Sequence, residues 1–207
     1  WSQLAARRVN RKTKLVAVGG GVVGDLVGYA AASYLRGVPF VQVPTTLLAQ
    51  VDSSVGGKVA IDLPEGKNLV GAFYPPSEVW IDTTVLGTLP EREFRSGMAE
   101  VIKYGWILDA ELLATLENTS LGSDSAMLPD IVRTCVDLKR KVVEADEFET
   151  LGIRAKLNFG HTIGHAIEQV TQYLSYTHGE AISIGMVAET MVAERLGVAP
   201  QGLSTRV

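Results

Sequence analysis

Among 207 residues there is one cysteine, Cys135, and there are three histidines. A lone cysteine excludes both a disulfide framework and a zinc cage of cysteines. It sits in DIVRTCVDLKRKVV, a helix-like run, and is expected to be a buried structural thiol. No apolar run approaches the roughly 20 residues that a membrane-spanning helix needs. The opening WSQLAARRVNRKTK has no hydrophobic centre of the signal-peptide kind. The net charge of −4 gives no electrostatic reason to expect nucleic acid. With 46 % hydrophobic and 20 % charged residues, the composition is that of a soluble globular protein of one or two domains. A reducing cytoplasm is the expected compartment. The chain does not begin with Met, and its polar, helix-like start leads straight into a strand, so it reads as a fragment of a longer protein.

What is present falls into two stretches. KLVAVGG reads as a buried strand, GDLVGYAAASYLRG as a helix and PFVQVPTT as a second strand. Two glycine-containing loops follow, SSVGGKVAID and PEGKNLVGAF, and EVWIDTTVL is predicted to be a third strand. This alternation predicts an α/β unit with parallel pairing. After Pro90, the runs beginning at Glu91, Asp109, Met127, Leu157 and Gly179 all have helical spacing. The expected architecture is α/β over residues 1–89 and all-α over 90–207.

GGGVVGD matches G-x-G-x-x-G through Gly19, Gly21 and Gly24, between a strand and a helix. There glycines let backbone approach a pyrophosphate, and the helix N-terminus supplies amide donors. The acidic residue usual about 20 residues further on is missing; Pro44-Thr45-Thr46 stands there instead. A plain strand–helix turn is the competing reading.

LNFGHTIGHAIEQV puts His161 and His165 on one helical face at i, i+4. Thr-Ile-Gly lies between them, so the glutamate of an H-E-x-x-H protease is absent. A catalytic zinc site wants three N or O ligands and an open position. His178 in YTHGEAISIGM and Glu100 in SGMAEVIKYG could join two or three histidines around a metal. Any single histidine is more commonly a core or surface residue, but all three sit in glycine-flanked stretches. Lys58, Lys67, Lys103, Lys139 and Arg154 would suit a phosphorylated or carboxylated substrate if they converge. Lys139, beside Arg140 and Lys141, reads most simply as a solvated surface charge, and Lys103 is expected to matter to stability no more than a surface residue does.

Together, GGGVVGDLVGYAAASYLRG, VPTTLLAQVDSSVGGKVAID, KNLVGAFYPP, SGMAEVIKYG, LNFGHTIGHAIE and HGEAISIGM resemble the 3-dehydroquinate synthase family, within the sugar-phosphate cyclases, from about Leu15 to Gly197. The resemblance implies a Rossmann-like nucleotide-binding domain, a helical metal-binding domain, and a chain incomplete at both ends. It implies metal ligands Glu100, His161 and His178, with His165 facing the substrate. It implies NAD contacts at Gly21, Val22, Val23, Gly24, Asp25, Thr45, Thr46, Lys58, Lys67, Val85, Leu86, Gly87 and Thr88. Substrate contacts fall on Asp52, Lys58, Asn68, Lys103, Lys139, Arg154, Asn158 and His165, and Arg36 matches a phosphate contact supplied across a dimer interface. The span from Lys139 to Arg154 is one residue longer than the family's, near Thr150-Leu151-Gly152. The family's upstream strands and C-terminal tail match nothing here.

The implied cofactors are NAD and zinc, with cobalt the alternative, in a homodimer. The implied reaction converts 3-deoxy-D-arabino-heptulosonate 7-phosphate to 3-dehydroquinate and phosphate, through transient oxidation, β-elimination, re-reduction and aldol closure. Three other readings stay open: a cyclase of the valiolone or deoxy-inosose type, a metal-dependent polyol dehydrogenase, and a partial chain that binds nothing well.

Overall fold

A computed structural model describes all residues, Trp1–Val207. The helix-like opening forms only α1 (Ser2–Ala6). The apolar LVAVG then makes β1 (Leu15–Gly19), and the glycine loop opens directly into α2 (Gly21–Ser33). FVQVP forms β2 (Phe40–Pro44). The two glycine-containing segments expected as loops are strands, β3 (Lys58–Leu63) and β4 (Gly66–Phe73), paired antiparallel from Lys58↔Phe73 to Leu63↔Gly66. Neither carries a long apolar run, and each depends on the other for its backbone hydrogen bonds.

Only Glu78–Val79 of the expected third strand is extended, as β5. The Asp82 side chain accepts from Thr84 N at 2.9 Å and from its hydroxyl at 2.6 Å, which turns the chain into a 3-10 helix over Thr83–Thr88. The sheet is parallel in the order β1-β2-β5. β1 is therefore an edge strand, and the expectation that it is buried fails on one face: Val16 and Val18 are exposed.

The second half is helical, as expected. Glu91 and Glu93 sit in the first turn of α3 (Glu91–Leu108), where the helix dipole favours carboxylates. Asp109 ends α3 and caps α4 (Ala110–Asn118), accepting from Glu111 N and Leu112 N. α5 (Leu128–Ala145) has proline in its first turn. The run expected to be helical from Leu157 is 3-10 over Ile153–Asn158, and α6 (His161–Val170) begins only after Gly160 at φ +80°. α7 (His178–Arg195) starts in a capping box between Thr177 and Glu180.

Two apolar clusters result. A small one joins Ala31, Val38, Phe40 and Val59 under α2. A large one of 13 buried residues lies among the helices but includes Leu47, Val51 and Leu86 from the α/β stretch. Cys135 lies in it, fully buried, and burial pushes its thiol up to about 12, in keeping with a structural role. The hairpin β3–β4 reaches the helical half through a Lys58–Glu149 ion pair and a Phe73–Phe148 edge-to-face contact. No helix is long and apolar enough to cross a membrane.

Candidate active site

Three glycines bring three helices close enough to share one point. A Cβ at Gly179 would stand 2.0 Å from Ser96 O, so the start of α7 lies hard against α3. A Cβ at Gly185 would stand 1.9 Å from Gly160 O, which locks α7 to the start of α6. Gly160 itself, at φ +80°, takes a conformation that a side chain would strain. α6 has no cap from its own sequence. The Glu189 carboxylate of α7 serves instead, accepting from Gly160 N at 2.7 Å, Thr162 N at 3.1 Å and Ile163 N at 3.3 Å.

The shared point is Glu100. Its Oε1 lies 3.5 Å from His161 Nε2 and 3.6 Å from His178 Nε2. Ligands on bonds of about 2.0–2.2 Å around a tetrahedral metal are about 3.3–3.6 Å apart, so these two edges have the right length. Glu100 is fully buried, and neither carboxylate oxygen accepts a hydrogen bond, although the Lys103 ammonium lies against Oε2 as an ion pair. A buried carboxylate whose Oε1 has no hydrogen-bond donor and faces two imidazole nitrogens is a donor set that a divalent cation satisfies. His165 points elsewhere. Its ring is T-shaped to His161 at 5.2 Å, and its nitrogens group with Glu168 and His178 instead.

Charge is tightly packed here. Burial and Asp52 push Glu100 toward protonation, but Lys103, His178 and His161 outweigh them and keep its carboxyl below its ordinary value. Burial and Lys103 hold His161 down to about 4. Burial would depress His178 as well, yet Glu100 and Glu168 raise it to about 9. A metal at Nε2 must therefore displace a proton.

The next layer joins Asp52 to two donors. Asp52 lies in a π-helical turn over Ala49–Ser53, against α5. Lys139 donates to its Oδ1 and to its backbone carbonyl, each at 2.7 Å, and Tyr104 Oη donates to the same Oδ1 at 2.7 Å. Burial opposes ionisation of Asp52, but Lys139 and Lys103 hold its carboxyl well below the usual range. The surface reading of Lys139 is overturned: it is 7 % exposed, whereas its neighbour Arg140 lies in solvent between Asp137 and Glu144. Lys103 is likewise no surface residue, at 2 % exposed.

The chain matches, over residues 1–96, the family model described as 3-dehydroquinate synthase N-terminal, and over 97–207 the one described as 3-dehydroquinate synthase C-terminal. It belongs to the 3-dehydroquinate synthase family. A relative named 3-dehydroquinate synthase from Pelobacter propionicus is 55 % identical over the whole chain, and one of the same name from Opitutus terrae is 58 % identical over 94 % of it. The chain spans 58 % and 54 % of those relatives' lengths. Among solved structures it resembles 2-deoxy-scyllo-inosose synthase complexed with carbaglucose-6-phosphate, NAD+ and Co2+. That match has TM-score 0.87 and 36 % identity, covering 99 % of this chain and 56 % of the other. It also resembles 2-epi-5-epi-valiolone synthase from Streptomyces hygroscopicus with NAD+ and Zn2+ bound. There the TM-score is 0.89 and the identity 30 %, with 99 % and 58 % covered. A probable glycerol dehydrogenase from Sinorhizobium meliloti shares the fold alone, with TM-score 0.56 at 19 % identity.

The remaining residues expected from the family pattern fall into place unevenly. Arg154 is buried, with Nε unpartnered and a terminal amine donating to Glu147 O at 3.1 Å. A Cβ at Gly56 would come within 3.0 Å of its guanidinium. The stretch around Thr150-Leu151-Gly152, expected to be one residue longer than the family's, forms an exposed turn, where Leu151 lies in solvent and Gly152 has φ +75°. Lys67 pairs with Glu168 at 2.9 Å, and Asn158 and His165 are exposed. Asn68, at φ +56° in β4, is exposed, and its N–H donates to Asp62. Arg36, at φ +62° in the turn after α2, makes no ion pair.

On the nucleotide side, α2 starts without a side-chain cap, so its first amides are available to an anion. Gly20 and Gly21 pack against Thr46 and Ser53, each with room for no more than a Cβ at 3.1 Å, while Val22 and Val23 are exposed. This cradle suits a pyrophosphate. Thr45 N donates to Gly19 O, closing the strand ends beside the loop. Gly87 and Thr88 are exposed on the 3-10 turn and Val85 is half-buried, but the Leu86 side chain is core, so only its backbone can reach a ligand.

Glu168, Glu189, Tyr104 and Glu149 escaped the reading of the sequence. Glu168 had a signal, because it lies seven residues after His161 on the same helical face. Glu189 had none, since its contacts are more than 25 residues away.

Proposed function

We propose that this chain carries the catalytic centre of a 3-dehydroquinate synthase. The reaction is the phosphate-eliminating conversion of 3-deoxy-D-arabino-heptulosonate 7-phosphate to 3-dehydroquinate. The observation that carries the reading is the buried Glu100 with His161, His178 and Lys103, next to the Asp52–Lys139–Tyr104 group. Glu100, His161 and His178 would hold a divalent metal, zinc or cobalt, and the loop Gly21–Asp25, through the first amides of α2, would hold NAD together with Thr45 and Thr46. When bound, the metal polarises the substrate oxygen it touches, and NAD takes and returns a hydride.

The protein's own part is binding and orientation. Lys139 and Arg154 are held nearly without solvent, so their attraction for phosphate or carboxylate is weakly screened. Asp52 and Tyr104 fix Lys139 in place before substrate arrives, which lowers the entropy cost of orientation. Lys103 keeps Glu100 ionised. His165 and Asn158, both exposed, would handle the phosphate and the departing proton. Lys58 and Asn68 would close over the substrate from the hairpin, and Arg36 would reach a second subunit's phosphate in a homodimer.

The test is an assay of the full-length protein with zinc and NAD+, following phosphate release and the NADH absorbance band. Phosphate released without NADH accumulation supports the reading. NADH accumulating in step with product would indicate a polyol dehydrogenase, and turnover only of a sugar phosphate such as glucose 6-phosphate an inosose-type cyclase.

A further inference from the structure

The two histidines that face Glu100 share a second feature. Each has its other ring nitrogen against an oxygen that can only accept. His161 Nδ1 lies 3.1 Å from Phe159 O, a backbone carbonyl. His178 Nδ1 lies 3.5 Å from Oε2 of Glu168. Glu168 comes from α6, is 2 % exposed, and receives Lys67 on its other oxygen at 2.9 Å. Lys67 also lies 4.2 Å above the Tyr173 ring, which fixes the ammonium from a second side.

We propose that Glu168 is a positioning residue for His178: it keeps the proton on Nδ1 and turns the Nε2 lone pair toward Glu100 and His161. This rests on the metal reading given above. A neutral imidazole has one donor and one acceptor nitrogen. A carboxylate can only accept, so when a cation displaces the proton on Nε2 the one on Nδ1 stays against Glu168, and Nε2 is the ligand atom. Such outer carboxylates also raise the basicity of a ligand imidazole. Glu168 has a second consequence. Through it, Lys67 of β4 bears on His178, so hairpin and metal site meet at one buried carboxylate.

The geometry contains its own competitor. His165, Glu168 and His178 also bring three donor atoms within 4.8 Å of one another. That arrangement would consume a Glu168 oxygen as a ligand and leave the buried Glu100 Oε1 without a partner, so the positioning role is the better account.

Zinc affinity of the purified chain, measured by competition with a chelator, decides between them. The metal-free melting temperature and the visible spectrum of the cobalt-loaded protein are recorded alongside. Wild type should bind one zinc, and Glu100→Ala should lose it. Glu168→Gln and Glu168→Ala should still bind one zinc, about 10–100-fold more weakly, with an altered cobalt spectrum. His165→Ala should bind as wild type. Zinc affinity within about twofold of wild type and an unchanged spectrum in Glu168→Gln, with loss in Glu100→Ala, would overturn this inference alone. Loss of zinc from Glu168→Gln and His165→Ala, with retention in Glu100→Ala, would make Glu168 a ligand and overturn it as well. Failure of the wild type to bind zinc would remove the metal reading and this one with it. Glu168→Gln preserves side-chain volume, so the answer does not depend on whether Glu168→Ala folds.

Discussion

The two ends of the candidate cleft are made of different material. At the metal end, charged side chains face one another: buried Glu100, Lys103 and Glu168 with half-buried His178, and Asp52 and Lys139 behind. At the nucleotide end, glycine backbone and a helix N-terminus lie under exposed valines. A side-chain site of this kind is charged before any ligand arrives, and each member depends on the others to stay ionised out of water. A backbone site carries no such debt; it demands only that no side chain intrude. The first should therefore fail when one partner is removed, and the second when one atom is added.

The sharpest way to break the comparison is Lys103→Met. It strands Glu100 in the core, and removal of one partner from a buried ion pair costs about 3–5 kcal/mol. Urea unfolding of the metal-free protein should show this loss, and the double variant Glu100→Leu/Lys103→Met should recover most of it. Equal stability of Lys103→Met and wild type would mean that the pair is solvated and that the metal end is not preloaded.

Added atoms come next. Gly185→Ala places a methyl 1.9 Å from Gly160 O, where only backbone can yield. It should cost about 3 kcal/mol, at the upper end for overpacking, and lower zinc affinity by displacing α6. Gly87→Ala, with nothing within 4 Å, should stay within about 0.5 kcal/mol. Thermal melts of the two variants make the contrast.

A smaller effect is expected at the cap shared by the two ligand helices. Glu189→Ala removes the acceptor for three amides at the start of α6 and should cost about 1 kcal/mol. Glu189→Gln should restore part of it. If zinc affinity falls further in Glu189→Ala than stability does, the cap is holding His161 in place as well as the helix.

Much of this was readable in the sequence, and what was not has a common cause. The strand–helix–strand order before Pro90 and the helices after it follow from local periodicity and glycine punctuation. Spacing alone paired His161 with His165; it was the family resemblance that singled out Glu100, His161 and His178. The hairpin β3–β4 did not, because its strands are defined by each other and not by an apolar run. Lys139 looked like one cation in a basic row, since only folding tells which of three neighbours meets Asp52. Asp82 shortened a strand through one side-chain turn. Asp82 apart, whose partner Thr84 is only two residues on, each miss is a pairing between residues that lie far apart along the chain.

The last expected effect lies at Asp25, and its mark is pH dependence. Burial, with Asp62 and Asp52 nearby, raises its carboxyl to about 6, with Lys139 opposing. An acid that holds its proton more tightly when folded than when unfolded binds more protons in the native state between about 4 and 6. Stability must then fall as pH rises through that window, and the cost persists above it. Asp25→Asn removes the ionisation. The variant should melt at or near the wild-type temperature at pH 4 and above it at pH 7.5, with the difference opening between the two. If Asp25→Asn is less stable at pH 7.5, the carboxylate is satisfied at the glycine loop, and the nucleotide end holds a charge after all.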